Sequence, residues 1–156
     1  MTAATHSLRV SRVIRADCDT LFRAWTDPRE LTHWWRQEGD GWAFAGASVD
    51  LRVGGAYRLG MTGPDGQTHV ARGVYREVER PRRLVFTWGW AGGGHTLPPG
   101  ASVVEVTLAP DGDGTLLRLV HRGVPAAARG RSGDGWTHSL SRLALAAAGS
   151  DPVPGR

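Results

Sequence analysis

The chain has one cysteine, no lysine and no asparagine. It also lacks any apolar run approaching the roughly 20 residues that a membrane-crossing helix needs. Each absence excludes something. A lone Cys18 cannot form an internal disulfide and fits a reducing, cytoplasmic setting, where a small buried thiol beside a helix start is the plain reading. Met1 to Ser7 shows no basic region followed by an apolar core, so no secretory signal is expected. With lysine absent, all 19 basic residues are arginine, a usage that fits GC-rich coding better than an arginine-specific task. The net charge of +4 is spread along the chain. Its tightest clusters, Arg80-Pro81-Arg82-Arg83 and Arg129/Arg131, read as solvated turns and strand edges, so neither nucleic acid nor membrane is expected as a partner.

Chemical motifs are equally sparse. His33, His69, His95, His121 and His138 have no paired metal-ligand spacing, so no metal and no cofactor are expected. Ser132, Ser139 and Ser141 lie near Asp134 and His138, but no nucleophile elbow is present, and neighbours on one helix do not assemble a triad. Gly92-Gly93-Gly94 is followed by no Lys-Ser/Thr and opens no helix, so it reads as a flexible lip and not as a phosphate loop. No residue is singled out as catalytic.

What the chain does have is one amphipathic stretch near its end. Trp136, Leu140, Leu143 and Ala147 recur at helical spacing from Gly133 to Ala148. Its start is ambiguous. Pro125 and Ala126-Ala127-Ala128 favour an early start, whereas Gly133 and Gly135 either delay it to about Ser132 or make room for a close neighbour. Before it, period-two patterns separated by turn residues predict six or seven strands. They are Leu8 to Ala16, Val49 to Val53, Ala56 to Met61, His69 to Val78, Arg83 to Trp90, Ser102 to Leu108 and Thr115 to His121. Gly54-Gly55, Gly63-Pro64-Asp65-Gly66, Glu79-Arg80-Pro81-Arg82 and Asp111-Gly112-Asp113-Gly114 mark bends and hairpins. Such short connections imply an antiparallel sheet. Two short helices interrupt the strands. One is capped by Asp17, with Cys18, Leu21, Phe22 and Trp25 inward. The next is capped by Asp27, with Pro28 in its first turn and Glu30 completing a capping box. Residues 36–47 read as a glycine-rich loop around Trp42 and Phe44. A sheet must bury one face, and the last helix is the only long element able to cover it.

The order and spacing of several segments resemble the START/SRPBCC superfamily. The branch they resemble is the one named for the activator of the ninety-kilodalton heat-shock chaperone's ATPase. Phe22, Ala24-Trp25-Thr26-Asp27-Pro28, Leu31 and Trp34-Trp35 are similar to its opening. Asp50-Leu51-Arg52-Val53-Gly54-Gly55 with Tyr57, Gly73-Val74-Tyr75 through Pro81, and Arg83-Leu84-Val85-Phe86-Thr87-Trp88 continue the likeness. Gly114-Thr115, Leu119, His121 and Gly135-Trp136 with Leu140 and Leu143 close it. The glycine-rich Gly130 to Gly135 departs from the pattern. The resemblance implies an α+β helix-grip fold over residues 8–149, with flexible termini at 1–7 and 150–156. In that fold a curved antiparallel sheet wraps the long C-terminal helix and leaves a cavity between them. The superfamily includes carriers, polyketide-type cyclases and hydrolases, resistance proteins and co-chaperones, and fold alone does not choose among them.

Seven tryptophans are a heavy load for 156 residues, and their flat faces suit a polycyclic apolar ligand. The expected ligand-binding set is Trp35, Trp42, Phe44, Tyr57, Met61, Phe86, Trp88, Trp90, His121, Trp136 and Leu140. Of these, Trp136 (with Trp25 outside the set) serves as core or cavity wall, while Trp35, Trp42, Phe44, Trp88 and Trp90 line the cavity or its mouth. Arg12, Tyr57 or His121 would orient the ligand. The expected function is binding of a hydrophobic, aromatic or polyketide-like molecule by a monomer or weak homodimer. The rivals are an enzyme or self-resistance protein using His121, Tyr57 or Glu105 as acid or base, and a co-chaperone regulating a chaperone ATPase.

Overall fold

The computed structural model of the chain describes residues 5–35, 41–91, 100–125 and 129–150. The expected Gly92–Gly94 lip and most of the two termini lie outside the described residues. Strand β1 (Thr5–Ile14) starts three residues before Leu8, because Thr5 and His6 already pair with Pro125 and Val124. Two helices follow, α1 (Cys18–Thr26) and α2 (Pro28–Leu31). Asp17 caps α1 by accepting from the Thr20 amide at 2.7 Å, and Asp27 caps α2 by accepting from the Arg29 amide at 2.9 Å. The expected capping box has no donor to work with. The Asp27 amide, which Glu30 would have accepted, closes α1 by donating to the Arg23 carbonyl at 2.9 Å.

The remaining strands are β2 (Ala43–Val49), β3 (Ala56–Thr62), β4 (Thr68–Glu79), β5 (Arg83–Trp88), β6 (Trp90–Ala91), β7 (Ser102–Asp111) and β8 (Gly114–Pro125). They form one eight-stranded sheet in the order β1-β8-β7-β5-β4-β3-β2, with β6 beside β4, and the described pairs are all antiparallel. Two expectations are corrected. The stretch read as a loop up to residue 47 contains most of β2. Gly46 sits at φ +98° inside a register shift between Phe44 and Ala47, and this bulge hides the alternation. Conversely, Leu51 to Val53 is not strand but part of a tight β2–β3 turn. There Gly54 takes φ +84°, and a Cβ on Gly55 would stand 2.0 Å from the Asp50 carbonyl oxygen. The turn also docks on β4, through Gly54 N–H to the Tyr75 carbonyl at 2.8 Å and Tyr75 N–H to the Gly55 carbonyl at 2.9 Å.

Helix α3 (Arg129–Ser150) begins between the two expected starts. Trp136, Leu140, Leu143 and Ala147 are all buried, so the inward stripe is the one the spacing predicted. Its glycines make no room for a neighbour: a Cβ at Gly135 would meet nothing within 4 Å, and one at Gly133 only Leu8 Cδ2 at 4.0 Å. The inner rows of the sheet, including Leu84 and Phe86, Val104 to Leu108, and Leu117 to Leu119, pack with α1 and α3 into one apolar core. Against that core lie Cys18, whose thiol is 3.6 Å from Thr115 Oγ1, and Thr115 itself, which donates to the Ala16 carbonyl at 2.7 Å. Among the described residues no helix is long and apolar enough to cross a membrane.

Candidate functional site: an indole cluster between sheet and helix

Where the sheet meets α3, the side chains are almost all aromatic. Trp88 on β5 and Trp136 on α3 approach to 4.9 Å between ring centroids. Trp35, just past α2, lies 5.6 Å from Trp88, 6.3 Å from Trp90 and 6.3 Å from Trp136. Trp90 on β6 closes the group at 5.5 Å from Trp88. Tyr57 stacks on Trp88 at 6.3 Å and meets Phe86 edge-on at 5.3 Å. These separations are those of touching rings. The sheet and the helix are therefore in direct contact at Trp88 and Trp136, and among the described residues the indoles occupy the place where a hollow was expected. A narrow cleft does lie elsewhere, under α1, lined by Phe22, Trp25, Arg83, Leu84, Val106 and Leu108, and it is too tight to hold water.

The polar atoms of this cluster divide sharply. The Trp136 indole N–H donates to His121 Nδ1 at 3.0 Å. An indole N–H only donates, so Nδ1 is the acceptor, and the neutral ring carries its proton on Nε2. Nε2–H then donates to Ser102 Oγ at 2.7 Å, and the Ser102 hydroxyl donates to the Trp88 carbonyl at 2.9 Å. The relay ties α3 to β8, β7 and β5. Burial pulls the His121 pKa from 6.5 down to about 4, so the ring is neutral at physiological pH. Tyr57 donates to the Thr87 carbonyl at 2.5 Å, and burial raises its pKa well above the ordinary tyrosine range, with Tyr75 adding to the rise. Both groups are saturated and fixed in their neutral forms. In contrast, Trp35 Nε1 and Trp25 Nε1 are buried with no hydrogen-bond acceptor among the described residues. An unpaired buried donor costs about 1–3 kcal/mol, and such groups are rare enough to call for a reason.

The other expected site residues are placed in different ways, and Phe44 packs against the same core that holds Trp35, Trp88 and Trp136. Phe44 pairs across the strands with Met61, Met61 pairs with His69, and Trp42 packs on His69 at 5.2 Å. These residues meet where β2 begins, β3 ends and β4 begins, and there Trp42 and Phe44 are half-buried. Leu140 lies inside the core. Arg12 is exposed and donates to Ser141 Oγ at 3.2 Å, so it does not point into the cluster. His138 is exposed on α3. Glu105 belongs to the opposite, outer face of the sheet. There it pairs with Arg83 and, at 2.8 Å, with Arg122. Burial raises its pKa, but hydrogen bonds from Arg122 and Arg83 outweigh this and hold its carboxyl below the usual range. That ionised, paired carboxylate is no acid or base for chemistry at the indoles. Among the described residues no group of His, Cys, Asp or Glu is disposed to hold a metal.

The fold is one with known counterparts. The family model described as "Activator of Hsp90 ATPase homolog 1-like protein" matches residues 15–148. The chain belongs to this family. Its members fall within the SRPBCC superfamily, and the curved sheet around a C-terminal helix is the AHSA1-like helix-grip fold. The AHSA1 protein SPO3351 of Silicibacter pomeroyi is similar at 29% identity, with 93% of this chain and 99% of that one covered and a TM-score of 0.77. CV1439 of Chromobacterium violaceum is similar at 30% identity, with 90% and 96% covered and a TM-score of 0.74. CalU16 of Micromonospora echinospora is similar at 29% identity, with 94% and 78% covered and a TM-score of 0.68. No curated protein matches. This AHSA1-like, SRPBCC fold suggests a ligand-binding or regulatory role.

Two contributors to this cluster were missed in the sequence, and both carried a readable signal. Ser102 begins an alternating row with Val104, Val106 and Leu108, so it is a hydroxyl facing an apolar interior. Thr87 lies between Phe86 and Trp88 in a strand buried from Leu84 onward, and its carbonyl is the acceptor for Tyr57. Polar residues in such rows need partners, which makes them markers of an internal hydrogen-bond network.

Proposed function

We propose that this AHSA1-like protein binds an apolar, aromatic small molecule bearing a hydrogen-bond-accepting oxygen, at the Trp35, Trp88, Trp90 and Trp136 rings. The observation that carries this reading is the Trp35 indole N–H, buried among four other indoles and without an acceptor among the described residues. The rings touch one another. A flat ligand enters by displacing Trp35 and half-buried Trp90, exchanging indole–indole contacts for indole–ligand contacts. Burying roughly 200 Å² of ligand contributes about 5 kcal/mol, and satisfying the orphan N–H adds about 1 kcal/mol. An enzyme acting through His121, Tyr57 or Glu105 gains no support, because each of those groups already has its partners and none is poised to exchange a proton at neutral pH.

Tryptophan fluorescence titration with polyketide-, lipid- and flavonoid-like compounds tests the proposal. The expected outcome is saturable quenching by planar oxygenated compounds. Trp35→Phe should weaken these several-fold and leave an unsubstituted aromatic hydrocarbon unaffected. Unchanged fluorescence across the whole panel would refute it.

A further inference from the structure

The outer face of β3 and β4 carries a charge arrangement that the fold does not need. Arg58 stands directly opposite Arg72 in the antiparallel register, and both are exposed. Like charges directly opposite one another destabilise a sheet, and neither arginine makes an ion pair among the described residues. On the same face, one pair further along, Ala56 is opposite Val74. Val74 is 40% exposed, and Val53, in the turn docked on that end of β4, is 65% exposed. Across β2, Ser48 pairs with Arg58 and extends the row. Two guanidinium groups without an ion pair among the described residues therefore adjoin solvent-facing valines on the outer face of the sheet.

We infer that this face docks an acidic segment of a partner protein, with carboxylates on Arg58 and Arg72 and an apolar side chain on Val74 and Val53. Arginine's planar fork suits carboxylate, and an exposed apolar neighbour adds contact area that a purely ionic ligand would waste. A nucleic-acid backbone is a poorer fit. Among the described residues the patch offers no aromatic ring on which a base could stack. The inference does not depend on the small-molecule reading, since it concerns the opposite face of the sheet.

The test is fluorescence anisotropy of a fluorescein-labelled peptide of glutamates interspersed with leucines, titrated with the full chain at low salt. Binding should be saturable and weaken with added salt. The R58E/R72E variant should lose about tenfold or more. The R9E/R118E variant, with the same charge change on exposed positions of β1 and β8, should bind as the native protein does. The single Arg58→Glu change places an acid opposite Arg72. It should therefore keep or raise the melting temperature while weakening the peptide, which holds the test open if the double variant fails to fold. Amide shifts on peptide addition should centre on residues 48, 56–58 and 72–74. Equal loss in R9E/R118E, undiminished binding in R58E/R72E, or tighter binding of a duplex DNA than of the peptide would each overturn the proposal.

Discussion

Acidification should weaken this fold through one histidine, by an amount that can be worked out. His121 is buried, accepts from Trp136 at Nδ1 and donates from Nε2 to Ser102. Its pKa is near 6.5 in the unfolded chain and, through burial, about 4 in the fold. Between those values the unfolded state binds more protons, so stability rises with pH across the window and falls as pH drops from 6.5 towards 4. That gap, at about 1.4 kcal/mol per pH unit, comes to about 3–4 kcal/mol, of which about 3 kcal/mol is lost by pH 4. Geometry points the same way, because an imidazolium would present a second N–H to the Trp136 donor and break that bond. Urea unfolding at several pH values, compared between the native chain and His121→Asn, isolates this contribution from the carboxylates, which titrate in both. The advantage of the native chain over the variant should shrink by about 3 kcal/mol between pH 7 and pH 4. Long-range nitrogen–proton correlation should show the Nε2–H tautomer, with ring shifts flat down to pH 5. A ring that titrates near 6.5, or that carries its proton on Nδ1, would refute the reasoning.

Helix α3 supports two further predictions. Gly135→Ala places a methyl in open space and should stabilise the protein by about 1 kcal/mol in calorimetry, because it removes an unneeded helix-interior glycine. Leu143→Ala empties a position with no exposure at the centre of the inward stripe and should cost about 2–5 kcal/mol by urea unfolding. A cost below 1 kcal/mol would mean that α3 is not packed as described.

Much of the fold was legible because its signals are local. The Asp17 and Asp27 caps, the turn glycines and the inward helix stripe each follow from a few neighbouring residues and held in the structure. The misread stretch, residues 43–55, fails for an equally physical reason. A bulge at Gly46 shifts the alternation by one, so the residues that look like strand at Leu51 to Val53 are the turn, and those that look like loop are β2. Period counting assumes an unbroken pleat, and one left-handed glycine removes that assumption.

The site was legible in composition but not in state. Inward alternation placed Tyr57, Phe86 and Trp88 on the core face, and helical spacing placed Trp136 opposite them. Whether such faces enclose a hollow or meet is decided by ångström-scale approach, which side-chain identity does not encode. The Trp88–Trp136 contact at 4.9 Å shows that they meet. Hydrogen bonding then separates the two kinds of polar group at this junction. His121 and Tyr57, the residues that chemistry-minded reading favours, have their bonds satisfied and serve as fasteners. The Trp35 N–H, which attracts no attention as a sequence letter, is the group left wanting an acceptor. A Trp35→Phe protein whose affinity for oxygenated aromatic ligands matched the native protein's would show that the unpaired donor is only a tolerated packing cost.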